Sequence, residues 1–123
     1  MKSANKVILI GHVAAKPEQA QSKARETRVT FPLATHRDTT SDGVKKDVTD
    51  YHTIVVWGKL GETCQAYLSK GQGVYVEGAI LNRAYEKDGE RRYVTEIRAD
   101  MVMLTWQQKA GIGPLSLNPI HVE

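Results

Sequence analysis

Apolar positions along this chain recur mostly with a period of two, so strands dominate the pattern. Val7-Ile8-Leu9-Ile10-Gly11-His12-Val13 is the first strand, apolar on both faces because Val7 and Leu9 alternate with Ile8 and Ile10. A strand of that kind is either an inner strand or one covered by another subunit. Residues 14–27 are polar and weakly patterned and read as a loop. Arg28 to His36 is a second strand with Val29, Phe31 and Leu33 on one face. Pro32 has no N–H to donate, which points to an edge position or a bulge. Residues 37–49 read as a long polar connection carrying Lys45 and Lys46. The third strand, from Asp50 to Lys59, is rich in β-branched and aromatic residues.

Between Lys59 and Lys70 the period changes. Leu60, Cys64, Tyr67 and Leu68 fall at i, i+4, i+7 and i+8, which predicts a helix with one apolar stripe, stopped by Lys70-Gly71. Cys64 on that stripe reads as a small buried apolar residue. Val74 to Ile80 is a fourth strand running into a hairpin around Asp88-Gly89, a strong type I′ turn signal. The returning arm from Glu90 to Arg98 and a last apolar stretch, Met101 to Leu104, complete the ordered part. The expected organisation is one domain over residues 1–106 and a Gly- and Pro-containing tail over 107–123.

Five strands with one helix between the third and fourth is the element order of an OB-fold barrel. The predicted fold is therefore all-β with one short α-helix, and a long β-hairpin joins strands 4 and 5. The fold suggests an oligonucleotide or oligosaccharide ligand by analogy only. A net charge of +3 permits a nucleic-acid partner without requiring one. No apolar run is long enough for a membrane-spanning helix, the N-terminus lacks a signal-peptide pattern, and the single Cys64 fits a reducing compartment. The expected location is cytoplasmic and nucleoid-associated.

Alternation places Tyr51, Thr53, Val55 and Trp57 on one face of the third strand and His52, Ile54 and Val56 on the other. Six residues at ~3.3 Å separate the two rings by about 20 Å, a layout suited to stacking successive bases of a single strand. The competing reading has Tyr51 and Trp57 closing the ends of a barrel core. If Asp88 and Gly89 are the turn residues, Tyr85 faces Arg92, Lys87 faces Glu90 and Glu86 faces Arg91. One hairpin face then carries Arg83, Tyr85, Lys87, Glu90 and Arg92, a ring among cations that can stack on a base while guanidinium groups pair with phosphate. Lys6, Arg37, Lys45, Lys46, Lys59 and Lys70 are further cations, each individually explicable as a solvated surface charge.

Enzyme signatures are missing. Asp38, Asp42, Asp47 and Asp50 lack calcium-loop spacing, no phosphate loop or nucleophile elbow occurs, and His12, His36, His52 and Cys64 lack metal-site spacing. The expectation is a binding protein without metal or cofactor, with an OB-fold nuclease as the enzymatic alternative.

From Asn5 to Leu104 the chain resembles bacterial single-stranded DNA-binding proteins. Asn5-Lys6-Val7-Ile8-Leu9-Ile10-Gly11, Leu33-Ala34-Thr35, Tyr51-His52 through Trp57-Gly58-Lys59-Leu60, and Tyr67 through Gly78 carry the resemblance. It implies base stacking on Tyr51, Trp57 and Tyr85. It also places basic DNA contacts at Lys59, Lys70 and Arg83; Lys6, Arg37, Lys87, Arg91 and Arg92 join them as candidate phosphate contacts from the reading of the hairpin and the scattered cations. His52 matches a subunit-interface histidine, and Ile8 and Ile10 join it as interface residues. The family implies a homotetramer, a dimer being the second option. Two departures stand out. No aromatic occupies the loop after the second strand, where many members carry tryptophan. The C-terminus, ending Ile120-His121-Val122-Glu123, does not show the acidic tip that recruits replication and repair proteins in the family, so either the chain is shortened or that mode of recruitment is lacking. The expected function is sequence-independent binding and protection of single-stranded DNA in replication, repair and recombination. The alternative is a replisome or primosome accessory protein on the same fold with weaker DNA binding.

Overall fold

A computed structural model describes residues 2–20, 26–106 and 118–119. The elements are β1 (Val7–Val13), β2 (Glu18–Ala20), β3 (Arg28–Ser41), β4 (Val44–Trp57), α1 (Gly58–Tyr67), β5 (Gly73–Lys87), β6 (Glu90–Trp106) and β7 (Asn118–Pro119). Strands follow the order β1-β5-β6-β4-β3-β2, and β1 also pairs with β3. That last pairing closes β1, β5, β6, β4 and β3 into a five-stranded barrel, the OB-fold expected from the element order. The interior is filled by Val13, Phe31, Leu33, Ile54, Val56, Val74, Val76, Ile97 and Val102, the inward members of their alternating rows.

Glycines let the strands pass at close range. At Gly78, beside a register shift in the β5–β6 ladder, an added Cβ would fall on the Arg98 carbonyl oxygen. α1 seats the same way. A Cβ on Gly61 would lie 2.5 Å from the Val56 carbonyl oxygen. The helix therefore packs inward through Gly61 and Cys64, with Leu60 at the margin and Leu68 buried just beyond its end. Tyr67, expected on that stripe, is instead 71% exposed. The helix also ends at Tyr67, three residues before the expected Lys70-Gly71 stop, and Gly71 supplies a positive φ of 94° in the turn beyond.

Cys64 is fully buried, and burial pushes its thiol up to about 12. The folded protein is therefore expected to resist alkylation near pH ~8, because the reacting species is the thiolate. Adding denaturant should release one equivalent of reactive thiol. Rapid labelling of the native protein would contradict this packing.

Four other expectations change. Residues 37–49 are not a connection: β3 and β4 each run 14 residues and pair from Arg28↔Trp57 to Ser41↔Val44. Asp42 and Gly43, at φ 51° and 76°, make the two-residue turn between them. The loop over 14–27 includes the short strand β2. Pro32 sits inside β3, opposite Thr53. Its carbonyl accepts the Ala14 N–H at 2.9 Å, so its missing N–H faces the handover from β1 to β2 and no bond to β4 is lost. The returning arm and the last apolar stretch form one strand, β6, of 17 residues. The tail expectation for 107–117 and 120–123 lies outside the described residues, while Asn118–Pro119 pairs with Leu104 and Met103 of β6.

Candidate nucleic-acid interface

Register decides which side chains meet. β4 alternates across the barrel wall, so Ile54 and Val56 enter the core while Tyr51, Thr53 and Trp57 point outward. Tyr51 is 69% exposed, in a row with Ala34 and His12 across β4, β3 and β1. Trp57 is half-buried at the far end of the strand and pairs with Arg28. The Arg28 guanidinium lies over the Trp57 ring, 5.9 Å from its centroid.

The β5–β6 hairpin turns at Asp88 and Gly89, with φ 55° and 77°. Its pairs are Tyr85↔Arg92, Glu86↔Arg91 and Lys87↔Glu90, the register expected from that turn. Arg83 lies over the Tyr85 ring at 5.8 Å. Arg92 donates to Glu90 at 3.2 Å. Arg91 is on the opposite face, over Tyr93 at 5.7 Å, and so is separated from the Tyr85 group.

Glu96 of β6 joins the two ring sites. Its side chain is 7% exposed. Oε1 accepts from Arg83 Nε at 2.8 Å, and Oε2 accepts from Arg28 Nη2 at 2.8 Å and Arg83 Nη2 at 3.3 Å. Burial alone would push this carboxyl up. Arg83's hydrogen bonds and the charges of Arg28 and Arg83 together outweigh burial and hold it below its ordinary value of 4.5. A carboxyl depressed in the folded state contributes stability above its unfolded pKa and loses it as pH falls through the folded value. Between about pH 5 and pH 3, the wild-type protein is therefore expected to lose more stability than Glu96→Gln. Equal acid slopes in chemical denaturation would contradict the depression.

The remaining cations are dispersed. Lys6 is ion-paired with Glu77, which also accepts from Tyr75 Oη at 3.0 Å. Arg37 donates to Asp50 at 2.7 Å, on the face of the β3–β4 ribbon opposite Tyr51. Lys59 is exposed in the first turn of α1, Lys70 in the turn after it, and Lys87 at the hairpin tip. His52 lies in the Ile54 row, and its Nε2 is 2.8 Å from Thr35 Oγ1. Ile8 and Ile10, 55% and 50% exposed, lie elsewhere, on the outer side of β1. They head the rows Ile8–Glu77–Met101 and Ile10–Tyr75–Met103 across β1, β5 and β6. The structure thus does not bring His52 together with Ile8 and Ile10 in one row. Among the described residues, no group of three or more His, Cys, Asp or Glu is placed to hold a metal ion, and no helix is long and apolar enough to cross a membrane.

Arg28 and Glu96 were not among the residues singled out by pattern. The signal for Arg28 was Asp42-Gly43: counting outward from that turn puts Arg28 opposite Trp57. Glu96 had no comparable signal.

The family model for the single-strand binding protein family matches residues 4–105. This chain belongs to that family. The family assignment agrees with two curated relatives. A single-stranded DNA-binding protein of Clostridium tetani is 43% identical over 117 residues, covering 93% of this chain and 79% of the relative. Single-stranded DNA-binding protein 1 of Chlorobaculum tepidum is 40% identical over 111 residues, covering 87% and 68%. Among solved structures, a Plasmodium falciparum SSB complex with ssDNA matches with a TM-score of 0.75 at 31% identity, over 85% of this chain and 96% of that one. The fold similarity therefore extends over most of the chain.

Proposed function

We propose that this chain binds single-stranded DNA without sequence preference and shields it while duplexes stand open for replication, repair or recombination. The observation that carries the reading is the pairing of guanidinium and ring at Arg28–Trp57 and Arg83–Tyr85, with Tyr51 exposed further along β4. Every base offers a π-face, so rings of this kind bind strands without reading them. The arginines beside them meet the phosphates between stacked bases. Residues 1–106 form the binding unit, which works on the nucleoid.

The same reading makes the Ile8–Ile10 face the contact between copies of the chain. Ile8 and Ile10 on β1 and Met101 on β6 are half-exposed apolar side chains on one sheet face, with Glu77 of β5, ion-paired to Lys6, between Ile8 and Met101. A homotetramer or a dimer covers that face, and light scattering reads which.

A second reading is favoured by one observation. Lys6, Arg37, Arg83 and Arg92 each already hold a carboxylate, which lowers the free positive charge these candidate contacts can offer DNA. On that reading the chain is an accessory protein of the replication machinery with weaker DNA binding.

Competition binding at several salt concentrations tests the proposal. Labelled oligo-dT should be displaced by unlabelled single strands of any sequence and not by duplex. The affinity should fall with salt at roughly −0.7 per phosphate neutralised on a log–log plot. Equal displacement by duplex would overturn the main reading. Weak binding by a dimer with a slope near one phosphate would favour the accessory.

A further inference from the structure

Trp57 and Tyr85 belong to different elements, yet an unbroken chain of contacts joins them. Trp57 lies under Arg28, Arg28 holds Glu96, Glu96 holds Arg83, and Arg83 lies over Tyr85. We propose that the Arg28–Glu96–Arg83 bridge is a seat for one backbone phosphate of the strand whose bases stack on Trp57 and Tyr85. In this seat Glu96 acts as the positioning residue. The proposal rests on the single-stranded DNA reading and adds a defined subsite to it.

The charges support a seat. Two guanidinium groups and one carboxylate leave a net single positive charge, matched to one phosphodiester. Each guanidinium has five N–H donors. Glu96 engages Nε and Nη2 of Arg83 and Nη2 of Arg28. The remaining donors are available to a phosphate lying between the two rings. Arg83 is half-exposed and can reach solvent, whereas Arg28 is 18% exposed and lies between Trp57 and Glu96.

Glu96 is repulsive to DNA by charge alone, so its removal gives opposite expectations for two roles. If the carboxylate only neutralised charge, Glu96→Gln would raise the positive charge and tighten binding. If it positions both arginines, the same variant releases them from the rings and weakens binding. Glutamine keeps the size and one acceptor oxygen but turns the other acceptor into a donor facing a guanidinium.

The test is oligo-dT titration of the full chain across a salt series, for wild type, Glu96→Gln, Arg28→Gln and Arg28→Lys. Tryptophan emission is followed in a Trp106→Phe background, so that Trp57 reports alone. The expected results are roughly tenfold weaker binding by Glu96→Gln, with altered Trp57 emission before DNA is added. Arg28→Gln should weaken binding and reduce the salt slope by about 0.7, the value of one phosphate. Arg28→Lys should keep the slope while losing affinity, because a point charge cannot bridge Glu96, ring and phosphate together. Tighter or unchanged binding by Glu96→Gln, or an unchanged slope in Arg28→Gln, overturns the proposal. If Glu96→Gln does not fold, the two Arg28 variants decide it. Failure of the wild type to bind oligo-dT would instead defeat the single-stranded DNA reading itself.

Discussion

Replacing Trp57 by alanine weakens oligo-dT binding roughly 5- to 150-fold, the ~1–3 kcal/mol that one stacked base contributes. The large effect has two sources. The substitution removes the half-buried ring at the end of β4, and it leaves the Arg28 guanidinium without the face it lies over. Tyr85→Ala should cost somewhat less, because the ring is smaller and the hairpin carries it further from the barrel. Tyr67→Ala is the control. Tyr67 is as exposed as Tyr51, but it stands on α1, outside the row that holds Tyr51 and Trp57. Oligo-dT affinity should be unchanged in Tyr67→Ala, with circular dichroism confirming that each variant is folded. A loss in Tyr67→Ala matching that in Trp57→Ala would mean that exposure of aromatics, and not the face of β4, governs binding.

Gly78→Ala should produce the largest loss of stability of any single methyl addition in the barrel. The new Cβ would occupy the space of the Arg98 carbonyl oxygen, with the Ala99 Cα 3.0 Å away. Backbone, not a flexible side chain, is what must move. Gly78 pairs with Val7 on one side and Ala99 on the other, so the disturbance falls on three strands at once. Overpacking of this kind costs typically ~1–3 kcal/mol and more where backbone is displaced. A fall in Tm of about 5 °C or more is expected. Gly89→Asn is the comparison: its position has nothing within 4 Å, and asparagine tolerates the positive φ of the turn. A Tm for Gly78→Ala equal to that of Gly89→Asn would contradict the close passage of β5 over β6.

What pattern alone revealed about this chain depended on burial. Val29, Phe31, Leu33, Ile54 and Val56 alternate because one side of each strand fills the barrel, so those strands and their faces were legible. The Asp88-Gly89 turn was legible because strand-like arms flank it, and counting from it places Tyr85 opposite Arg92. Asp42-Gly43 makes the same turn, but Thr39, Thr40, Ser41, Lys45 and Lys46 surround it. That ribbon projects from the barrel with nothing to bury, so no alternation marks it, and the Arg28–Trp57 pair that follows from it stayed hidden. Tyr67 misled for a related reason. A helix stripe spaced at i+7 assumes contact along the whole face, whereas Gly61 draws the start of α1 onto β4 and the end is left exposed. Glu96 could not be read at all. A buried carboxylate depends on partners, and its two arginines come from positions 68 and 13 residues away.

The site residues divide by the same logic. Tyr51, Trp57 and Tyr85 all lie on outward rows, as alternation and turn counting required. Cations carry no periodic signal, and their placement was correspondingly less legible. Arg91 falls on the Tyr93 face, Arg37 on the face opposite Tyr51, and Lys6 beside Glu77.

The most direct test of the central claim is the emission of Trp57 in the Trp106→Phe protein as oligo-dT is added at physiological salt. Base stacking on the ring predicts strong quenching that saturates at a defined strand length. It also predicts a Kd tighter than ~1 µM, the strong end of purely electrostatic non-specific binding. Binding without any change in Trp57 emission, or no binding below that concentration, would contradict it.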